Sequence, residues 1–469
     1  MNVLICTPTK FKSSASIQAI DEVFSYSEHL GIAYLAAVLR ESGYPVQVLH
    51  SEAENLDVDG LRDWMQGKHF DLIGLNTDTP SWQTARQDLR EIRQAFPEAV
   101  IVVGGPHANA LHKVDRLGDM FRESGDFDLA AFGEGEYTLL EIAQRQAAGQ
   151  ELLTVLGTAS RSGTEVKVNP ARPLVENIDT IPFPAIDLLP LHKYSRTPSS
   201  YRREPVRSIL AARGCPFSCL FCDRGAFGRT VRLRSVDNLM AEVDLLVTKY
   251  GARELRFWDD VLTINEARTL QVCEALSKYD LTWSCNGRVK MLTDRMLAAM
   301  KKAGCWEIDL GIEAGNDTVL RTIHKGFTAV QAQETIKKVS DHGIEVRCFF
   351  ILGFPGETRE TVADTINFAL NNPIDYATFY LPQAYPGTEL YEIAVREGAL
   401  GADYSNYLIT GSIPSYTNPN IPPGELADMQ RSAYRRFYRR PSYIWKRLKA
   451  IRSVEDIRRY WKALAVLKM

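Results

Sequence analysis

The sequence predicts an α/β protein: a doubly wound parallel sheet at the N-terminus, then a partial (β/α)6 barrel, then a helical C-terminal tail. Three observations carry that expectation. Residues 1–150 alternate short apolar runs with helical patterns, residues 151–200 lose the rhythm, and from about residue 205 it resumes through six strand–helix steps. Strands joined by helices pair in parallel, because each crossover returns the chain to the same end of the sheet.

In the first half, strands are expected at 3–6, 46–49, 72–75, 100–103 and 129–132. Each is an apolar run of the length that suits a strand buried on both faces. Helices are expected at 31–41 and 83–95, with Leu35 and Leu39 one turn apart on a sheet-facing side. The strands lead into small or polar loops: Thr7-Pro8-Thr9, Asn76-Thr77-Asp78-Thr79, Gly104-Gly105-Pro106-His107 and Gly133-Glu134-Gly135-Glu136. In open α/β sheets such carboxyl-end loops hold ligands, and glycine lets a ligand approach the backbone. Residues 151–200 then read as a linker with a short extended excursion, because Pro170, Pro173, Pro182 and Pro184 break any long regular element.

The second alternation has expected strands at 206–212, 254–257, 282–285, 308–312, 346–351 and 377–381. Helical patterns lie between them at 236–249, 266–279, 294–303, 329–342 and 359–370. In a barrel of this kind the chemistry belongs at the carboxyl ends of the strands. The first of those ends carries Cys215, Cys219 and Cys222, a Cys-x3-Cys-x2-Cys run. Thiolates are the usual ligands of iron–sulfur clusters, and a four-iron cluster normally takes four of them. Three from one loop leave one iron open to a small molecule, as an open position on a catalytic metal does. The alternatives are a structural zinc site or three unrelated thiols. Zinc wants four ligands in paired spacings, and no second Cys or His pair flanks this loop.

Later strand ends carry Asp259-Asp260, Arg288, Glu313, the turn Gly353-Phe354-Pro355-Gly356-Glu357-Thr358, and Tyr385-Pro386-Gly387-Thr388. Buried paired carboxylates need a cation, an amine or a capping role, and Asn265 lies near enough in sequence for capping. Arg288 and Glu313 suit a ligand's carboxylate and hydroxyls, or an internal salt bridge between strand ends. Trp258, Phe379, Tyr380 and Tyr385 are aromatic candidates for a substrate pocket or for the core.

The cysteine spacing, with Phe221 immediately before the last cysteine, resembles the signature of the radical S-adenosylmethionine (SAM) superfamily. Phe257-x-Asp259-Asp260, Gly311-Ile312-Glu313-x-Gly315, the Gly353–Thr358 turn and Tyr385-Pro386-Gly387-Thr388 are similar to the strand ends of one branch of it. That branch carries an N-terminal cobalamin-binding domain. Residues 31–39, Val103-Gly104-Gly105-Pro106-His107 and Gly133-Glu134-Gly135-Glu136 are similar to that domain, so the resemblance spans about residues 1–395.

The resemblance implies a Rossmann-like, B12-binding domain over 1–150, a linker over 151–200, a radical SAM core over 201–400 and a helical basic region over 401–469. It implies a 4Fe-4S cluster held by Cys215, Cys219 and Cys222, and SAM contacts from Phe221, Asp259, Asp260, Arg288, Glu313 and Gly353. Cobalamin contacts are implied for Thr77, Gly104, Gly105, Gly133 and Gly135. The implied activity is one-electron cleavage of SAM to a 5′-deoxyadenosyl radical, fed by a reductant such as flavodoxin or ferredoxin. Cobalamin would carry a methyl group to an unactivated carbon of a small-molecule substrate. Radical cyclisation, ring contraction or oxidation would use the same two domains and stays open. A non-catalytic cobalamin or SAM sensor would have no need of an electron donor. Methylthiolation would need further cysteines in the first half, where only Cys6 stands. The Asp-x-His-x-x-Gly motif of many cobalamin enzymes is absent, so no cobalt-ligating histidine is named, and His107 is expected to satisfy its own surroundings.

Composition agrees with an enzyme of the reducing cytosol. Of 469 residues 45% are hydrophobic and 24% charged, the balance of a soluble globular chain. Cys6, Cys273, Cys285, Cys305 and Cys348 are scattered, unlike a disulfide framework. The N-terminus opens as a strand and not as a signal peptide, and no apolar run reaches the ~18 residues of a membrane span. The net charge of −3 conceals a tail, residues 431–469, with thirteen Lys or Arg against Glu455 and Asp456. That leaves +11 on the tail and −14 on the body, which excludes a nucleic-acid surface over the body. Tyr443, Ile444, Trp445, Leu448, Ile451, Trp461, Leu464 and Leu467 make the tail amphipathic. Its apolar face is expected to dock on the barrel, with an anionic membrane surface as the alternative.

Overall fold

The computed structural model describes residues 1–10, 27–163, 165–194, 199–401 and 413–450, with side chains as far as residue 448. The chain forms two compact units. The first is Met1–Arg196 with Asp223–Arg229 and Tyr385–Gly387; the second is Thr197–Cys222, Thr230–Ala384 and Thr388–Met469.

The first unit is built on β1 (Val3–Cys6), β2 (Val46–Leu49), β3 (Leu72–Asn76), β4 (Val100–Gly104), β5 (Leu129–Ala131), β6 (Thr158–Ser162) and β7 (Glu165–Val168). The sheet order is β2-β1-β3-β4-β5-β6-β7, and β1 to β5 are parallel. This is a doubly wound order, which reverses between β1 and β3 and opens a crevice at the carboxyl ends there. Leu4, Ile5, Ile73 and Val103 are fully buried, as strands covered by helices on both faces require. The helix Leu30–Glu41 buries Ile32, Ala33, Ala36 and Leu39, and its first turn is capped by the His29 ring, which accepts from the Ile32 N–H at 3.3 Å. Residues 158–168, expected inside a linker, instead add β6 and β7 as antiparallel strands at the sheet edge. Their outer halves are exposed and polar, so no apolar run betrayed them.

The second unit carries β8 (Val206–Ile209), β9 (Ala212–Arg213), β10 (Arg232–Leu233), β11 (Glu254–Phe257), β12 (Thr282–Gly287), β13 (Cys305–Glu313), β14 (Glu345–Ile351) and β15 (Tyr376–Tyr380). Six of these form a parallel sheet in the order β15-β14-β13-β12-β11-β8, so every strand–helix step moves one place along, as in a barrel wall. The wall stays open because β8 and β15 are its two edges. Threonine caps start the helices that follow the strands: Thr328 and Thr358 form capping boxes, and Thr388 accepts from the Tyr391 N–H.

An open edge presents unpaired backbone groups. Here the helix Pro423–Tyr438 supplies them with side-chain partners. The Tyr434 hydroxyl accepts from the Phe379 N–H at 3.1 Å and lies 3.2 Å from the Phe379 carbonyl. The Tyr438 hydroxyl repeats this one turn on with Ala377, at 3.2 and 2.9 Å, and Gln430 donates to the Phe379 carbonyl at 2.8 Å. Three side chains at four-residue spacing thus stand where a seventh strand would pair. Changing Tyr434 and Tyr438 together to Phe is expected to cost about 1–3 kcal/mol per stranded backbone pair. A thermal midpoint indistinguishable from that of the unmodified protein would contradict this account.

Candidate active site

The strand expected at 206–212 breaks after Ile209, and that break builds the site. Ala212 and Arg213 leave the sheet and pair antiparallel with Leu233 and Arg232. The ribbon closes the base of the loop that bears Cys215, Cys219 and Cys222. Asp259 pins its start, accepting from the Ala211 N–H at 2.9 and 3.1 Å. The Arg234 guanidinium donates to the Leu210 carbonyl at 2.8 Å, and Arg268 donates to the Ala211 carbonyl at 3.1 Å. Arg234 is itself held by buried Glu242. Further along, the Leu220 N–H donates to Ile323 at 3.2 Å and the Leu220 carbonyl accepts from Leu390 at 3.0 Å, while the Leu220 side chain is buried.

Cys215, Cys219 and Cys222 lie outside any disulfide and are half-buried, unlike Cys273, Cys285, Cys305 and Cys348, which are buried. Burial raises the Cys215 pKa; a backbone N–H from Phe217 opposes that, nearby Asp260 adds to it, and Arg288 opposes it more weakly. Three half-buried thiols on one anchored loop are the donor set that an iron–sulfur cluster takes.

The other strand ends gather beside this loop. The Arg288 guanidinium lies 3.7 Å from Cys219 Sγ, stacks 3.6 Å over the Phe217 ring, and donates to the Lys325 carbonyl at 2.6 Å. The Lys325 ammonium, itself buried, is 3.3 Å from Glu313 Oε1 and 5.7 Å from the Phe221 ring. Phe221 packs 5.3 Å from Phe354, which ties the cysteine loop to the turn after β14. Glu313 adopts φ +69° at a register shift between β13 and β14, an unusual backbone state for a residue with a side chain. Its carboxylate folds back over Gly311, where a Cβ would stand 2.5 Å from Oε1. Burial raises the Glu313 pKa, while Lys325 and then Arg288 lower it.

Some expectations change in detail. Asp259 is buried and spent on Ala211, and burial pushes its pKa up to about 7, so it shapes the loop as a cap. Asp260 is the more open of the pair and its pKa is raised by burial alone. Glu313 does form an internal ion pair, but with Lys325, a residue no sequence pattern singled out. Gly353 has φ +102°, and a Cβ there would stand 2.4 Å from Leu426 Cδ2, so packing against the C-terminal helix requires this glycine. Its N–H and that of Phe354 donate to Glu357 at 2.7 and 2.9 Å. Phe379 is core, stacked on Phe350, whereas Tyr380 is half-buried against Phe349 and Trp258 is 41% exposed.

In the first unit the strand-end loops interlock. The Ser51 hydroxyl donates to the Thr7 carbonyl at 2.7 Å, and the Thr9 amide and hydroxyl donate to buried Asp88 at 2.7 and 2.8 Å. Thr77 is buried, bonded to Ser81 and, through its N–H, to the Gly104 carbonyl at 2.9 Å. Gly104 and Gly135 sit close to Ala131 and Leu35, whereas a Cβ on Gly133 would point into open space. An open, side-chain-free backbone at the end of β5 fits the approach of a broad planar group such as cobalamin. His107 is withdrawn: buried, stacked 5.0 Å from Trp82, with Nδ1 3.1 Å from the Thr79 hydroxyl.

His107 gives a pH prediction. Burial, and then Arg86, pushes its pKa down to about 3; burial and then His29 do the same for His50. Below the ordinary value near 6.5 the unfolded chain takes up protons that the folded one refuses, so stability present above that pH is lost as pH falls toward 3. Each histidine contributes about 1.4 kcal/mol per pH unit in that window. Thermal melts between pH ~7 and ~5 should show the loss, and His107→Gln should make it shallower. Equal slopes would rule His107 out as a cause.

The sequence model of the radical SAM superfamily matches residues 209–369, and that of the B12 binding domain matches residues 19–143. An uncharacterized methyltransferase of Pyrococcus horikoshii is 32% identical over 427 residues, 89% of either chain. An anaerobic magnesium-protoporphyrin IX monomethyl ester cyclase of Rubrivivax gelatinosus is 28% identical, over 88% of this chain and 74% of its own. Among solved structures, the radical SAM methyltransferase TsrM of Kitasatospora setae, with cobalamin and a 4Fe-4S cluster bound, aligns with a TM-score of 0.68 at 17% identity, over 94% of this chain and 89% of that one. Fold, site and matches define a radical SAM enzyme with a B12-binding domain. The chain belongs to the radical SAM superfamily, in the branch that joins the two domains. Its cofactors are a 4Fe-4S cluster, SAM and cobalamin, and its reaction draws electrons from a reductant.

Proposed function

We propose that the protein methylates an unactivated carbon of a small-molecule substrate. The observation that carries this reading is the pairing of an anchored three-thiol loop with a strand-end constellation of Arg288, Lys325 and Glu313 beside it. The bound cofactors supply one-electron cleavage of SAM and a methyl carrier; the protein's task is to bind, orient and exclude water. Cys215, Cys219 and Cys222 hold the cluster. Arg288, already against Cys219, would offer its planar fork to the carboxylate of SAM, and Glu313, at φ +69°, would offer an acceptor to hydroxyls of the same ligand. Lys325, 3.3 Å away, opposes the effect of burial on the Glu313 carboxyl and holds it in place for the ligand. Gly133 and the neighbouring loops of the first unit receive cobalamin. A flavodoxin or ferredoxin of the cytoplasm is the reductant we assign, since free thiols and a cluster persist in a reducing compartment.

The test begins with anaerobically purified, cluster-reconstituted protein. Loss of SAM with formation of S-adenosylhomocysteine, and a methylated product in the presence of cobalamin, supports methyl transfer. SAM cleavage that is indifferent to cobalamin would overturn it and favour the second reading, radical cyclisation, which the similarity to the cyclase supports.

Arg288→Ala and Glu313→Gln are expected to weaken SAM binding about 10–100-fold, the worth of one charge-assisted hydrogen bond, without lowering iron content. Asp259→Ala should act differently, lowering iron retention because the start of the loop loses its anchor. Equilibrium SAM binding and iron assays on the same preparations separate the two effects. Unchanged SAM affinity in both Arg288 and Glu313 variants would leave these residues as a purely internal network.

A further inference from the structure

Successive side chains of a strand point to opposite faces of its sheet. In the second unit the two faces differ sharply. One holds Phe257, Cys285, Ile308 and Cys348, all fully buried. The other carries one polar residue on each of β11 to β15: Arg256, Asn286, Asp309, Arg347 and Tyr376. Asn286, Asp309, Arg347 and Tyr376 are direct neighbours in register, and Arg256 reaches them from just below. Along β14 this polar face is partly accessible at every second residue, whereas the residues between are buried. Barrel interiors are ordinarily layers of branched apolar side chains, so a charged row in their place has a desolvation cost to offset.

The row does not satisfy itself. Arg256 is 8% exposed, yet it spends only Nη2, on Asn286 at 2.8 Å and Asp309 at 2.7 Å. Among the described residues its Nε and Nη1 have no acceptor. Arg347 donates to the Ser199 carbonyl at 2.6 Å and to Glu307 at 3.0 Å, and its Nε lies 3.6 Å from Asp309 Oδ1, which accepts no hydrogen bond. Burial pushes the Glu307 carboxyl up, with Arg347 opposing and Asp309 adding to the effect. A proton held there leaves two guanidiniums against one carboxylate.

Trp258 stands on the same face, two residues beyond Arg256. Its indole N–H donates to the Ser208 hydroxyl at 3.0 Å and the Arg256 guanidinium lies 4.8 Å from its ring, yet it is 41% exposed. This is an aromatic surface fixed in orientation and left open. The amino-terminal end of the row is occupied by the helix Pro441–Ala450, whose Arg447 pairs with Asp375 and lies 4.5 Å from the Tyr376 ring. The sequence expects that helix to dock by its apolar face; it docks through Arg447 and Tyr443 instead, and Ile444 and Leu448 stay about half exposed. At the other end Arg288 follows Asn286 by two residues, about 7 Å at the rise of a strand.

We infer that the substrate carries a planar ring and an oxyanion, a carboxylate or a phosphate group, with the ring against Trp258 and the oxyanion on the unspent N–H groups of Arg256. This rests on the reading that the second unit binds a small-molecule substrate beside the SAM site, and it names the chemical class. A wholly apolar molecule would cover the row without meeting its donors.

Equilibrium dialysis tests this with the full-length, cluster-reconstituted, cobalamin-loaded protein, saturated with SAM and given no reductant. Without turnover the result is separate from whether a methyl group is transferred. The probes are 2-naphthoate, 2-naphthyl phosphate, the neutral 2-naphthalenemethanol and decanoate. At least one planar anion is expected to bind about tenfold or more tighter than the alcohol, and the tighter of the two identifies the group. It should also exceed decanoate about fivefold, the worth of ring contact. Trp258→Ala should remove that second advantage and Trp258→Phe should largely keep it. A merely structural role for the indole N–H would instead make the two variants alike. Arg256→Gln should bring anion and alcohol to similar affinities. Arg256 also holds Asn286 and Asp309, so iron content and thermal midpoint are read beside each variant, and the Trp258 pair carries the test if Arg256→Gln does not fold. Failure of both anions to bind, decanoate binding as tightly as they do, or unchanged affinity in Trp258→Ala would overturn the inference. So would loss of anion binding in Arg288→Ala alone, which would put the anion in the SAM site.

Discussion

Single replacement of Cys215, Cys219 or Cys222 by Ala is expected to abolish SAM cleavage while leaving the protein folded. The two halves of that result have separate physical causes. Two thiolates cannot hold a four-iron cluster with its fourth iron exposed, so activity falls to background with any one of the three missing. The fold survives because the loop is held by other groups. The ribbon of β9 and β10 closes its base, Asp259 and Arg234 pin its start, and Leu220 anchors its middle. The measurements are iron and sulfide content, the thermal midpoint and the yield of 5′-deoxyadenosine from the same preparations. A triple-Ala protein that still cleaves SAM would sink the assignment. Cys305→Ala is the contrast: that thiol is fully buried in β13, so its loss should lower stability without touching iron content.

Gly105→Ala should be the most damaging single change in the first unit. Gly105 has φ +101°, and an added Cβ would stand 2.8 Å from the Thr77 carbonyl oxygen and 2.9 Å from Asn76 Oδ1. Asn76 ends β3, and Thr77 just after it is already bonded to the Gly104 carbonyl, so neither yields cheaply. Strain and overpacking together cost about 2–5 kcal/mol, and the loops at the crevice shift with them. Gly133→Ala differs: φ is +82°, but the Cβ would meet nothing within 4 Å, leaving about 1 kcal/mol of backbone strain. Cobalamin uptake then separates stability from fit. Gly105→Ala should lose it together with the thermal midpoint, and Gly133→Ala should weaken uptake with the midpoint nearly kept. Equal thermal losses at the two glycines would refute the backbone-contact argument.

Much of the site was legible where its chemistry is local. The cysteine spacing lies within eight residues, and the strand it follows is an apolar run. Asp259, Arg288, Glu313 and Gly353 were legible as strand-end positions, because alternation of strands and helices fixes where strands end. Their partners were not. Lys325 meets Glu313 from a turn twelve residues on, with no periodic pattern to announce it. The pairing of Asp259 with Ala211 joins residues 48 apart, which no local pattern announces. The short extended excursion expected within 151–200 is there, but its pairing as β6 and β7 onto the sheet was not legible, because edge strands with one wet side carry too little apolar signal.

The sequence by itself determined the two α/β windings, the three-thiol loop at the end of the first barrel strand, and the amphipathic, basic character of the tail. These depend on spacing along the chain, which short-range geometry converts directly into a face or a loop. Only the tertiary structure decided what each face touches. Tyr434 and Tyr438 close the edge of β15, Lys325 aims Glu313, and Arg447 fastens the last described helix to Asp375. A pattern specifies that a surface exists. Which surface is buried depends on partners far away in sequence, as where Arg447 meets the buried Asp375, 72 residues off.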